Sequence, residues 1–154
     1  YGHKRIILGG NNMALYMTID NEYELQKIFV DWDRDYYSLD GYKAILDYYN
    51  EIDSELDVIA ICGSFTEYNV DELLYYYEET DFETWLDDNG YVADWLCDND
   101  FDDIEDVEIV GMVNNMYAEL KADYFDDFVT EQLDYINYNH TCVELANGNY
   151  MLIE

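Results

Sequence analysis

The most constraining feature of the sequence is a long acidic run without a single basic residue. Between Lys43 and Lys121 lie 77 residues that contain 23 Asp or Glu and no Lys or Arg. Apolar side chains interrupt this run at spacings near three and four: Leu73, Leu74, Phe82, Trp85, Leu86, Val92, Trp95, Leu96, Phe101 and Ile104. This period is typical of amphipathic helices, which turn an apolar face inward and a charged face to solvent. The run therefore predicts a helical segment with an acidic surface, at about residues 67–139.

The rest of the composition predicts a folded chain. Its 154 residues carry a formal net charge of −31, but 50% are hydrophobic and 18% are aromatic. Acidic chains that stay disordered lack the side chains needed to offset chain entropy. At this length we expect a single domain over residues 1–154. We expect no membrane span, because no apolar run reaches the required length, and no direct binding of nucleic acid, which the negative field repels.

Hairpin signals at both ends of the chain predict a small sheet. Gly and Asn tolerate the positive φ of tight turns, so residues 9–12 and Asn147–Gly148 are predicted turns. The arms that flank these turns are predicted at residues 5–8, 13–19, 141–145 and 149–153. The nearly continuous apolar stretch Leu56–Cys62 predicts a central strand buried on both faces. We therefore expect an α+β fold, in which a small antiparallel sheet of two hairpins and a central strand is covered by several helices.

Helix signals fill most of the remaining sequence. Good N-cap residues precede the apolar-periodic segments, because their short polar side chains accept hydrogen bonds from the first turn. They are Asn21 or Asp20 for the first helix, Ser38 for the second and Asn69 for a later one. The predicted helices span about residues 21–35, 38–49, 70–79, 82–97, 102–105 and 115–137. Residues 107–113 leave strand and helix open, since Val, Ile and Gly favour a strand while the short length decides little.

Few residues suit catalysis or metal binding. Cys62, Cys97 and Cys142 lie far apart without a C-x-x-C motif, and the chain has two histidines. No nucleotide-binding or nucleophile motif occurs, and carboxylate pairs are too numerous to single out a catalytic dyad. The calcium-like stretch Asp98–Asp102 lacks the Gly and the bidentate Glu of such loops. We therefore expect no enzymatic activity, no cofactor and no metal, with free thiols in a reducing cytosol.

Part of the chain resembles known proteins. The segments Tyr36–Tyr49, Leu56–Cys62 and Phe65–Tyr68, followed near the end by Thr141–Leu145, resemble a group of small uncharacterised phage and mobile-element proteins. The resemblance covers about half of the chain. It implies a helix, an apolar strand that ends near Cys, an acidic-aromatic loop and a closing C-terminal hairpin, with residues 80–139 as an acidic insertion.

The charge and size resemble a functional class, the DNA-mimic inhibitors that phages use against host defence. This class includes antirestriction proteins and anti-CRISPRs. Carboxylates four residues apart on a helix lie about 6 Å apart, close to the spacing of phosphates along a DNA strand. The candidate rows are Asp94, Asp98 and Asp102; Asp87 with Asp94; and Asp123, Asp127 and Glu131. The alternatives are an ordinary solvated helix face and a general adaptation to high salt.

Carboxylates and tyrosines of the acidic run form the predicted partner-binding surface. Its members are Asp87, Asp88, Asp94, Asp98, Asp100, Asp102, Asp103, Glu78, Glu79, Tyr75, Tyr76 and Tyr77. If exposed, tyrosines supply flat contact area and stack on arginine. The alternative is that they fill the core with their hydroxyls at its edge.

The expected function follows from this surface. We expect a phage-encoded DNA mimic that occupies the basic DNA-binding surface of a defence nuclease, a CRISPR effector, in the host bacterial cytoplasm. An antirestriction protein that blocks a restriction-modification enzyme is one alternative, and an acidic scaffold protein unrelated to DNA is another. The oligomeric state stays open.

Overall fold

The computed structural model describes most of the chain. It covers the backbone of residues 4–8, 15–99 and 106–154, and their side chains except those of residues 8, 15, 16 and 106–110. Within that part the chain is α+β, with seven helices and six strands, which confirms the predicted fold class. The chain divides into two compact units, the α+β unit (Tyr1–Leu73 and Asn139–Glu154) and the helical unit (Leu74–Tyr138). That the whole chain acts as one domain stays a prediction.

The first half of the chain alternates strands and helices. In chain order its elements are β1 (Lys4–Leu8), β2 (Leu15–Ile19), α1 (Glu22–Asp31), α2 (Leu39–Glu51), β3 (Leu56–Asp57), α3 (Val58–Ser64), β4 (Phe65–Tyr68) and α4 (Val70–Tyr77). The second half is helical until its last hairpin. Its elements are α5 (Phe82–Asp88), α6 (Tyr91–Asp98), α7 (Asp106–Asn139), β5 (Thr141–Glu144) and β6 (Tyr150–Ile153). Across the described ranges, every helix is too short or too polar to cross a membrane.

The three predicted helix caps are confirmed. The side chain of Asn21 accepts a hydrogen bond from the Glu24 backbone N–H at 3.0 Å, and Ser38 Oγ accepts one from Gly41 at 3.0 Å. Asn69 accepts from the Glu72 N–H at 2.8 Å. Each bond satisfies a donor that the first helical turn leaves without an intrahelical partner. These starts are local, so the sequence alone locates them.

The strands of both predicted hairpins pair, but they belong to two three-stranded sheets rather than to one. The predicted turn at residues 9–12 lies outside the described residues. The first sheet has the order β2-β1-β3, in which β1 pairs antiparallel with β2 and parallel with β3. The second has the order β4-β6-β5 and is antiparallel throughout. Its strand β4 was expected as a loop, but Phe65 pairs with Ile153 and so continues the closing hairpin.

The predicted central strand Leu56–Cys62 is wrong beyond Asp57. Residues from Val58 onward form α3, because the Asp57 carboxylate accepts hydrogen bonds from the N–H groups of Ile59 and Ala60 at 3.0 and 3.2 Å. Val58 and Ile61 are buried while Ile59 is 50% exposed, which is a helical rather than a strand pattern. A short apolar run does not distinguish the two. Because α3 separates β3 from β4, each strand pairs with a different hairpin, which explains the two sheets.

The helical unit differs from prediction at two boundaries. The predicted helix 82–97 is divided into α5 and α6 at Gly90, whose φ of +79° is the left-handed conformation that glycine tolerates. The open segment 107–113 is helical and belongs to α7, which therefore begins before the predicted residue 115. The short helix expected at 102–105 lies outside the described residues.

One helix of the α+β unit also differs from prediction. The helix α1 stops at Asp31, short of the predicted Asp35.

The core of the α+β unit is built around an aromatic cluster under α1 and α2. The rings of Phe29, Tyr37 and Tyr42 lie 5.2 to 6.0 Å apart and are buried. The Tyr37 hydroxyl donates to the carbonyl of Phe65 at 2.7 Å, and burial is the main reason that its pKa is raised. Buried tyrosines need such acceptors. The interpretation that tyrosines fill the core therefore holds for Tyr37 and Tyr42.

Candidate partner-binding surface

The predicted carboxylates of α5 and α6 are on the surface. Asp87 and Asp88 end α5, Asp94 and Asp98 lie on α6, and all four are exposed. Asp94 and Asp98 are one helical turn apart, which places them about 6 Å apart along the axis. The other predicted members of this part, Asp100, Asp102 and Asp103, lie outside the described residues. The α6 row is therefore described for its first two members.

The helix α7 carries a longer row than the sequence predicted. Asp123, Asp127 and Glu131 lie on this one continuous helix and are exposed, as is Glu119, which extends the row by one turn. Four carboxylates at four-residue steps span about 18 Å along the axis. Each step also advances about 40° around the axis, so the row winds about the helix. This geometry gives regularly spaced negative charge on a rigid element.

Two tryptophans fix the ends of this row. Trp85 of α5 donates its indole N–H to Glu131 Oε2 at 2.7 Å, and Trp95 of α6 donates to Glu119 Oε2 at 2.7 Å. These contacts hold α5 and α6 against α7 while Glu119 and Glu131 still face solvent. The sequence missed both pairs, because their members are 46 and 24 residues apart. The available signal, for Trp85, was that a buried indole N–H needs an acceptor.

The three predicted tyrosines do not share one environment. Tyr75 and Tyr76, in the last turn of α4, are 79% and 64% exposed, and their rings meet edge to face at 5.0 Å. Tyr77 is half-buried. The alternative that these tyrosines fill the core therefore fails for Tyr75 and Tyr76. Both rings therefore lie on the surface.

The predicted Glu78 and Glu79 lie in a loop that a buried amide holds in place. Gln132 of α7 is 2% exposed, and its Oε1 accepts hydrogen bonds from the backbone N–H groups of Glu79 at 2.8 Å and Thr80 at 3.5 Å. The Glu79 side chain is exposed, whereas Glu78 is half-buried. Burial, and secondly the neighbouring Asp81 carboxylate, raise the pKa of Glu78 above its ordinary value.

The electrostatic field is strongest in the helical unit. Its 65 residues include 20 Asp or Glu and one base, Lys121, whereas the 89 residues of the α+β unit include 17 acids and five bases. The formal charges are thus −19 and −12. The smaller unit carries the larger charge, so its surface potential for a basic partner is the more favourable of the two.

The α+β unit contains a polar network that the sequence did not predict. Glu67 Oε1 accepts hydrogen bonds from the backbone N–H and the hydroxyl of Ser38 at 3.0 and 2.9 Å, and Oε2 accepts from the Asn149 amide at 2.8 Å. Gly41 lies beside it, and a Cβ there would overlap Glu67 Oε1 and displace this carboxylate from its hydrogen bonds. All four residues join the start of α2 to β4 and the closing hairpin. Their role is to hold the fold.

No metal centre or reactive cysteine pair emerges from the described structure. Within residues 4–8, 15–99 and 106–154, no group of three or more His, Cys, Asp or Glu side chains is arranged to hold a metal ion. The three cysteines are free, with Cys97 exposed and Cys62 and Cys142 half-buried. Burial raises the pKa of the Cys142 thiol, which lowers its reactivity.

Comparisons with known proteins add no further guide to function. No protein-family model, no curated protein and no solved structure matches this chain. The function must therefore be inferred from the chemistry of the surface, which combines exposed carboxylate rows with two exposed tyrosines.

Proposed function

We propose that this chain is a phage-encoded DNA mimic that inhibits a host defence nuclease, specifically a CRISPR effector, by occupying its basic DNA-binding surface in the bacterial cytoplasm. The single observation that carries the proposal is the charge of the helical unit, with 20 carboxylates and one lysine in 65 residues. Groups of Lys and Arg that bind phosphates also attract such a surface. Binding then releases the counterions of the acidic surface, as it does for DNA.

The arrangement of the charge supports mimicry beyond its amount. The row from Glu119 to Glu131 repeats at about 6 Å along a helix that winds it around the axis. Asp94 and Asp98 add a second row on α6. Rigid, regular carboxylates match a groove that has evolved to hold regular phosphates, whereas a flexible acidic tail must lose conformational entropy on binding.

The exposed tyrosines would act after the first encounter. Electrostatic attraction chiefly accelerates association, while short-range packing chiefly slows dissociation. Tyr75 and Tyr76 offer ring surfaces that stack on arginine side chains of a nucleic-acid-binding groove. The mechanism is stoichiometric occupation, which acts by mass action and forms no product.

The target class can be tested in cells. Bacteria that carry either a CRISPR effector or a restriction enzyme are challenged with a targeted plasmid, with and without expression of this chain. We expect transformation to be restored against the CRISPR effector. Restoration against the restriction enzyme alone would favour the antirestriction alternative instead.

A variant separates specific occupation from non-specific acidity when its dissociation from the purified nuclease is followed. Changing Tyr75 and Tyr76 to Ala keeps every charge, and is expected to shorten the lifetime of the inhibited complex about tenfold. A matched control changes Tyr23 and Tyr36 to Ala, two exposed tyrosines of the α+β unit. Equal effects of the two tyrosine pairs would favour the acidic scaffold alternative. So would a pull-down from host lysate in which the chain retains only proteins that do not bind DNA.

A further inference from the structure

A cleft in the helical unit combines aromatic rings with charges of both signs. It lies between the start of α5 and the middle of α7, has a volume of about 500 Å³, and none of its residues belongs to the surface predicted from the sequence. Its lining residues are Asp81, Phe82, Glu83, Tyr117, Lys121 and Phe125. We propose that this cleft binds the guanidinium group of an arginine side chain, an inference that rests on the proposed function for the identity of the partner.

Aromatic rings form the apolar wall of the cleft. The rings of Phe82 and Phe125 meet edge to face, with centroids 5.3 Å apart and planes at 87°, and both are half-buried. Tyr117 lies two turns before Phe125 on α7 and lines the same cleft. The planar guanidinium group of arginine stacks on aromatic faces and sheds water more readily than an ammonium group does. The wall is therefore suited to arginine more than to lysine.

A cation already lies at this wall. The Lys121 ammonium nitrogen is 5.0 Å from the centroid of the Phe125 ring. Within the described ranges Lys121 forms no salt bridge, although carboxylates surround it in the sequence and the cleft. An exposed, strongly hydrated ammonium group on a flexible stem is held weakly by a ring. Lys121 thus marks a cation position from which a better-fitting group would displace it.

Carboxylates supply the matching charge. Burial raises the pKa of the Tyr117 hydroxyl, and the carboxylates of Glu83, Asp87 and Asp81 raise it further, so all three act on the same point. Asp81 is fixed in place, because it accepts a hydrogen bond from the Thr84 backbone N–H at 2.7 Å. An arginine that enters the cleft can therefore contact a ring face and pair with a carboxylate, as buried arginine anchors at interfaces do.

The test uses short peptides in place of the partner. Tetra-arginine and tetra-lysine peptides with blocked ends are titrated calorimetrically into the intact chain at physiological salt. We expect the chain to bind tetra-arginine about fivefold more tightly than tetra-lysine, and to show shifted ring-proton resonances of Phe125 when tetra-arginine is added. Binding without a change at Phe125 would overturn the proposal.

Variants test whether the preference for arginine arises in this cleft. Phe125→Leu keeps the apolar volume and should abolish the preference for arginine, whereas Tyr138→Leu, at an 89% exposed tyrosine of the same helix, should leave it unchanged. Lys121→Gln removes the competing cation and should strengthen tetra-arginine binding about threefold. Equal behaviour of the two Leu variants, or weaker binding by Lys121→Gln, would contradict the assignment.

These measurements separate the cleft from the proposed function. They involve no nuclease and no DNA, so a preference for arginine that depends on Phe125 establishes the cleft even if the chain fails to displace DNA from its target. Conversely, displacement of DNA by a chain without that preference would leave the DNA mimic standing and remove the cleft.

Discussion

The α+β unit and the helical unit differ in the balance of acidic and basic residues. In the α+β unit several carboxylates are bonded within the fold: Glu67 binds Ser38 and Asn149, and Asp57 caps α3. Five of the six bases also lie in this unit. In the helical unit Glu131, Glu119 and Asp81 are likewise bonded within the fold, but Lys121 is the single base.

This difference favours a binding surface over a general adaptation to salt. An adaptation of the whole protein would add acids and remove bases in both units alike, because every surface meets the same solvent. Here the ratio of acids to bases is 17 to 5 in one unit and 20 to 1 in the other. Concentrated charge of one sign steers a partner of opposite sign to one part of a molecule.

Charge reversal should weaken target binding in the helical unit and leave it nearly unchanged in the α+β unit. Changing four exposed carboxylates of the helical unit to Lys is expected to weaken target binding about a hundredfold or more, with the fold intact. These four are Asp87, Asp88, Asp94 and Asp98. The control reverses four exposed carboxylates of the α+β unit: Asp31, Asp47, Glu51 and Glu144. Surface plasmon resonance at two salt concentrations compares them, and an equal loss in both would show that total charge alone matters.

Removing a carboxylate that is bonded within the fold should lower stability and leave target binding unchanged. Glu67→Ala leaves the Ser38 N–H and the Asn149 amide without their acceptor, and is expected to lower the free energy of unfolding by about 2 kcal/mol. Target binding at a temperature where the variant is folded should not change. Urea unfolding measures the stability, with Glu144→Ala as the surface control. A stable Glu67→Ala variant that fails to bind would move the binding surface into the α+β unit.

Features that depend on neighbouring residues could be predicted from the sequence, whereas long-range contacts could not. Caps such as Ser38 and the turn at Gly148 depend on neighbouring residues, so they were predictable. The helix at Val58–Ser64 was not, because its apolar run has no distinguishing period. The contact of Trp85 with Glu131 joins residues 46 positions apart, which no local pattern contains. The acidic surface was predictable as composition and its row on α7 as spacing, but its anchoring by tryptophan was not.

Salt should stabilise the helical unit more than the α+β unit. Screening weakens repulsion among carboxylates, so moderate salt is expected to raise the melting temperature by about 5 °C. Hydrogen exchange should slow more in α7 than in α2, because the repulsion is concentrated in the helical unit. A melting temperature that is flat or falls between low and physiological salt would mean that bound cations already neutralise the surface.

The smallest expected effect concerns the pH dependence of stability. Burial and Asp81 raise the pKa of Glu78 in the folded state. Stability from this group is therefore present below its unfolded pKa, near the ordinary 4.5, and is lost as the pH rises through the raised folded value. Glu78→Gln should lose less stability over that rise than the wild type. Unfolding curves across this pH range test it, with Glu79→Gln as control, and identical slopes for wild type and Glu78→Gln would contradict it.

If the chain takes the place of DNA, it must displace DNA from its target. The chain is titrated into a complex of the purified target nuclease with labelled duplex DNA, and the bound DNA is followed by fluorescence anisotropy. We expect complete displacement at about one chain per DNA-binding site, with an affinity that falls steeply as salt rises. DNA that stays bound when the nuclease is saturated with the chain, or inhibition at far below one chain per site, would contradict it.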